Sequence, residues 1–123
     1  MARDEIKLES TENNPVLNKS FQFALDIIRY AEALENDRKY IISNQLLKSG
    51  TSIGANIREA QHAESKADFI HKLKIAAKEA SKTEYWLLLC KYSPGYPDIA
   101  GRLEKLLEIQ KLLSKIISNS KKS

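Results

Sequence analysis

The chain has 123 residues, 42% hydrophobic and 29% charged, with 20 Lys+Arg against 16 Asp+Glu for a formal net charge of +4. These proportions suit one soluble globular domain and exclude a disordered chain. Four glycines and three prolines are too few for a turn-rich all-β fold, and a single cysteine, Cys90, excludes an internal disulfide or a thiolate zinc cage.

No apolar run reaches the roughly 18 residues needed to span a bilayer. The N-terminal stretch has no apolar centre, so it does not read as a signal peptide. A cytoplasmic protein without membrane contact is expected. Residues 1–17 are polar and end near Asn13-Asn14-Pro15, which reads as a flexible N-terminal arm. The bundle domain is expected over 18–118 and a frayed tail over 119–123.

The first helical segment is expected from Asn18 to Glu35. Phe21, Leu25, Ile28, Ala31 and Leu34 recur at spacings of three and four, which defines one face. Asn36-Asp37 ends it. The second runs from Arg38 to Glu64, with Ile42, Leu46, Ser49, Ile53, Ile57 and Ala60 in phase. Gly50 and Gly54 each cost about 1 kcal/mol in a helix interior relative to Ala, yet the stripe keeps its phase through both. One continuous helix is expected, with a smooth surface for close helix approach.

Ser65 reads as an N-cap with Asp68 three residues on. The third segment then runs from Lys66 to Tyr92, striped by Phe69, Leu73, Ala76, Ala80, Thr83 and Leu87. Ser93-Pro94-Gly95-Tyr96-Pro97 is the strongest breaker. The fourth segment is expected from Pro97 to Ser118, striped by Ile99, Leu103, Leu106, Gln110, Leu113 and Ile117. Four amphipathic helices with short links predict an all-α antiparallel up-down-up-down four-helix bundle.

The third and fourth segments are richer in apolar residues than a bundle core requires. Ile75, Trp86 and Leu89 point away from the main stripe of the third. Leu107 lies on one flank of the fourth, and Ile109, Leu112 and Ile116 on the other. These seven residues are expected to form a subunit interface in a homo-oligomer.

Ser49-Gly50-Thr51-Ser52-Ile53-Gly54-Ala55-Asn56-Ile57-Arg58-Glu59-Ala60 resembles the signature of the 23S rRNA-intervening-sequence proteins, also called four helix bundle proteins. Asp68 to Leu73, Ala76 to Ala80 and Thr83 to Leu87 are similar to that family's second block. The resemblance implies an antiparallel four-helix bundle, a homopentamer and no established enzymatic activity. A related accessory protein of similar architecture engages a reverse transcriptase and nucleic acid through a basic surface. Lys82 departs from the family pattern, where an acidic residue is usual, and residues 1–17 extend beyond its usual start.

Within the signature, Asn56 and Glu59 stand one turn apart. A structural role is the stronger reading: Asn56 fixing helix register and Glu59 accepting a bond from a neighbouring helix. Glu59-x-x-His62 and Asp68-x-x-His71 have metal-ligand spacing, but both lie at one bundle end, and Glu84 and Glu104 have no reason to join them. Cys90 reads as a buried structural thiol, and Trp86 as a packing or interface anchor more than a base-stacking platform. With no catalytic triad spacing, P-loop or dinucleotide fingerprint, no enzyme and no cofactor are expected.

Residues 1–62 carry 8 basic and 9 acidic side chains, while residues 63–123 carry 12 and 7. Lys72, Lys74, Lys78 and Lys82 on the third segment and Arg102, Lys105, Lys111 and Lys115 on the fourth are candidate contacts to RNA, DNA or a nucleic-acid-processing protein. Five chains of +4 would present a formal +20. Solvation of an oligomer's outer face is the plainer explanation of those charges, and a purely structural assembly module is the alternative function.

Overall fold

A computed structural model describes residues 14–122. Four helices make up the fold: α1 (Pro15–Asn36), α2 (Tyr40–Ala60), α3 (Lys66–Tyr92) and α4 (Arg102–Lys122), with no strand among the described residues. Each helix packs on the next in sequence, and α1 also packs on α4. The part of the expected arm before residue 14 lies outside the described residues.

α1 begins earlier than expected. Asn14 caps it by accepting from the Leu17 amide at 3.3 Å, and Pro15 occupies the first turn, where its missing N–H costs nothing. Val16 and Leu17 are buried, so residues 15–17 belong to the helix and its core rather than to the arm. At the other end, Arg38 adopts a left-handed conformation (φ 62). Its amide donates to Glu35 O and the Lys39 amide to Leu34 O, a Schellman closure built without glycine.

The inward face of α1 also differs from the expected stripe. Ser20, Phe23, Ile27, Tyr30, Ala31 and Leu34 are buried, whereas Leu25 (37% exposed) and Ile28 (38%) lie on the surface and Phe21 is half-buried. Helical spacing alone does not decide between two apolar stripes on one helix. Gly50 decides it: a Cβ there would stand 2.8 Å from Ile27 Cγ2, so α2 approaches over Ile27.

α2 is continuous through both glycines, as its phase predicts, though it ends at Ala60. α3 spans Lys66–Tyr92, and Ser65 caps it by accepting from the Asp68 amide at 3.0 Å. Asp68 Oδ2 accepts in return from the Glu64 amide. Between α2 and α3 the buried hydroxyls of Ser49 and Thr83 are hydrogen-bonded 2.9 Å apart.

α4 starts at Arg102, not Pro97. Ala100 takes a left-handed conformation (φ 49), Asp98 Oδ1 accepts from the Ala100 amide, and Pro97 O accepts from the Tyr30 hydroxyl at 2.7 Å. The Tyr30 bond ties Pro97 to α1, and residues 97–100 follow a non-helical path. α4 continues to Lys122, so the expected frayed tail is helical over 119–122.

The cross-helix contacts run in opposite order along α1 and α4 and along α2 and α3. Lys19 meets Glu108 while Asp26 meets Arg102; Glu59 meets Lys72 while Ser49 meets Thr83; Glu84 meets Gln110. Asn14 at the start of α1 donates to Gln61 just beyond α2.

Candidate nucleic-acid interface

The eight basic residues singled out in the sequence fall into two groups. Four are engaged by carboxylates. Lys72 Nζ lies 3.1 Å from Glu59, Lys82 Nζ 3.1 Å from Glu79, Arg102 Nη2 3.0 Å from Asp26, and Lys105 Nζ 3.8 Å from the same Asp26. Arg102 is the clearest correction. Its side chain is only 15% exposed, and its guanidinium sits 4.7 Å over the Tyr30 ring. It locks α4 to α1 and is not presented to a partner.

The other four, Lys74, Lys78, Lys111 and Lys115, are exposed and have no carboxylate partner among the described residues. The pairs 74/78 and 111/115 are each one helical turn apart, so each forms a short row along its helix. Lys121 joins them. It stands beside Lys74, and the contact of the two like charges, with a smaller push from Lys78, lowers the Lys74 pKa below the ordinary lysine value. The N-terminal half of α3 and the end of α4 therefore bring Lys74, Lys78 and Lys121 together, and Lys111 and Lys115 continue the uncompensated charge along α4. The sequence reading missed Lys121 because it placed that residue in a frayed tail; a Lys-rich helix C-terminus complements the helix dipole and was the available signal.

The apolar candidates divide as well. Ile109, expected at a subunit interface, is 1% exposed and belongs to the core instead. Its flank position brings it inward because α4 buries Leu106, Ile109 and Leu113 together. Leu112, Ile116 and Trp86 are partly buried and pack against the same core. Ile75 is half-buried. Leu89 (39% exposed) and Leu107 (49%) are open to solvent, with Tyr85 (56%) one turn before Leu89. The exposed pair Leu25 and Ile28 on α1 was not foreseen as surface.

Asn56 makes no bond to another helix: its Nδ2 donates to Ser52 O of its own helix at 2.9 Å. Glu59 does accept from a neighbouring helix, through Lys72. No group of three or more His, Cys, Asp or Glu among the described residues is placed to hold a metal ion. Cys90 is buried (2% exposed), with its pKa raised by burial. No helix of the described residues is long and apolar enough to cross a membrane.

The family model described as 23S rRNA-intervening sequence protein matches residues 12–118. A crystal structure of a protein of unknown function from the S23 ribosomal protein family of Bacteroides thetaiotaomicron is 48% identical, with a TM-score of 0.76. The match covers 83% of this chain and 97% of that one. No curated protein matches the chain.

Proposed function

The chain belongs to the 23S rRNA-intervening sequence protein family, and on that footing we propose that it is a non-enzymatic, self-associating bundle protein whose lysine ridge holds the phosphate backbone of RNA or DNA. The observation that carries this reading is the ridge itself. Lys74, Lys78, Lys111, Lys115 and Lys121 gather on α3 and α4 without carboxylates, although this chain pairs other basic residues readily. Crowded ammonium groups repel one another, and a phosphate placed among them relieves that repulsion. Such contacts position a backbone without reading sequence.

The reading takes the helices as an antiparallel up-down-up-down bundle, supported by the opposite order of contacts between α1 and α4 and between α2 and α3. It takes the working unit as a homopentamer in the cytoplasm. Self-association is supported by apolar side chains that the chain's own core leaves open: Leu25 and Ile28 on α1, Leu89 on α3 and Leu107 on α4. Repetition of the ridge around an assembly multiplies a modest charge per chain.

The test is binding of structured RNA at low salt, with subunit number set by light scattering on the same sample. The combined variant Lys74→Ala, Lys111→Ala, Lys115→Ala is expected to keep its subunit number and lose most of its RNA affinity. Wild-type protein that binds neither RNA nor DNA at low salt would overturn the nucleic-acid reading and leave a purely structural assembly module.

A further inference from the structure

We infer that the groove between α2 and α3 seats one nucleotide of a single-stranded nucleic acid, with its base against Trp86 and its phosphate on Lys48. The inference rests on the nucleic-acid reading above and narrows it to a strand form and a second contact point.

The groove has a volume of about 230 Å³ and opens to solvent. α2 lines it with Lys48, Ser52 and Asn56, and α3 with Glu79, Lys82 and Trp86. The charges nearly cancel. Lys82 lies 3.1 Å from Glu79, so that pair is neutral, and Lys48 leaves the groove with one net positive charge. One phosphodiester carries one negative charge.

The walls suit the rest of a nucleotide. Ser52 O holds the Asn56 Nδ2 at 2.9 Å, which fixes the amide and leaves its Oδ1 as an acceptor for a base amine. Trp86 is half-buried and braced edge-on by Tyr85, with ring centroids 5.2 Å apart. A braced indole loses little freedom when a base stacks on it. In a duplex the bases are stacked on one another, so an indole in a groove meets a base only in a single strand. A second copy of the chain is the poorer occupant. It would desolvate Lys48 and the Glu79–Lys82 pair, whereas Leu25 and Ile28 on α1 and Leu107 on α4 offer a copy open apolar surface without that cost.

Trp86 is the single tryptophan, so intrinsic fluorescence reads the groove directly. The full chain, in its native assembly, is titrated at low salt with a single-stranded adenosine hexamer and with an RNA duplex of equal length. The single strand is expected to quench Trp86, and the duplex to bind without quenching. Anisotropy of a labelled single strand is expected to show Trp86→Leu weakening binding about five-fold or more, with Trp86→Phe restoring most of it. Lys48→Ala is expected to lower the salt slope by about 0.7; its exposed position keeps the test valid if Trp86→Leu fails to fold. Duplex affinity should follow neither variant.

Single-strand binding without quenching, unchanged by Lys48→Ala and still lost in the Lys74/Lys111/Lys115 variant, would overturn this inference and leave the ridge reading intact. Absence of binding by either strand form would overturn both. Dissociation of the assembly by Lys48→Ala would make the groove a subunit seat and overturn the inference as well.

Discussion

Gly50 of α2 lies so close to Ile27 of α1 that a Cβ on the glycine would stand 2.8 Å from Ile27 Cγ2, 3.1 Å from Cγ1 and 3.3 Å from Cβ. Ile27 is fully buried and branched at the crowded carbon, so it has no flexible end to move aside. Gly50→Ala is therefore expected to destabilise by about 1–2 kcal/mol, the overpacking cost exceeding the roughly 1 kcal/mol gain in helix propensity. Gly54 differs. A Cβ there would meet Ser20 at 3.4 Å, an ordinary contact, and Gly54→Ala should be neutral or stabilising. Urea unfolding of both variants at one protein concentration checks the contrast.

Ser49 and Thr83 are the buried polar link between α2 and α3. Thr83→Val leaves the Ser49 hydroxyl buried without that partner and should cost about 1–2 kcal/mol. Ser49→Ala with Thr83→Val removes both groups. It should cost less than the two single changes added together, with a coupling of at least about 0.5 kcal/mol in a double-mutant cycle.

Arg38 is in left-handed conformation where most helix ends place glycine. It is exposed, and its side chain makes no hydrogen bond or ion pair with the described residues. Arg38→Gly should raise stability by about 0.5–1 kcal/mol by removing the Cβ strain, seen as a melting temperature a few degrees higher.

Tyr30 is 2% exposed and donates to Pro97 O. Burial first, then the neighbouring Cys90, raise its pKa well above the ordinary 10.0, and burial raises that of Cys90 above 9.0. In the unfolded chain both groups lose their protons earlier than in the folded one. Stability is thus fully present below pH 9 and falls as pH rises through 9 and then 10, by up to about 1.4 kcal/mol per pH unit for each group. Tyr30→Phe should flatten the part of that decline above pH 10, at the cost of the Pro97 bond. Urea midpoints at pH 8, 9.5 and 11 check both statements.

Much of this fold was legible in the sequence. The Ser65 cap, the Pro94-Gly95 break and the unbroken phase of α2 are local signals that tertiary packing did not override. The inward face of α1 was not legible, because its two apolar stripes share the same spacing and the choice depends on Gly50 from another helix. The start of α4 was misplaced because the hydrogen bond from Tyr30 to Pro97 is a long-range contact. The candidate site was half legible. Sequence gives the positions of the basic residues but not which of them meet Asp26 or Glu59 across the bundle; only the Glu79–Lys82 pair, one turn apart on α3, has a spacing that shows it.

The most direct test of the lysine ridge is the dependence of RNA affinity on salt. Each phosphate neutralised on a duplex contributes about −0.9 to the slope of log K against log salt. The account predicts a slope steeper than about −4, made shallower by at least about 2 in the Lys74→Ala, Lys111→Ala, Lys115→Ala variant. A slope near zero, or one that the variant leaves unchanged, would contradict it.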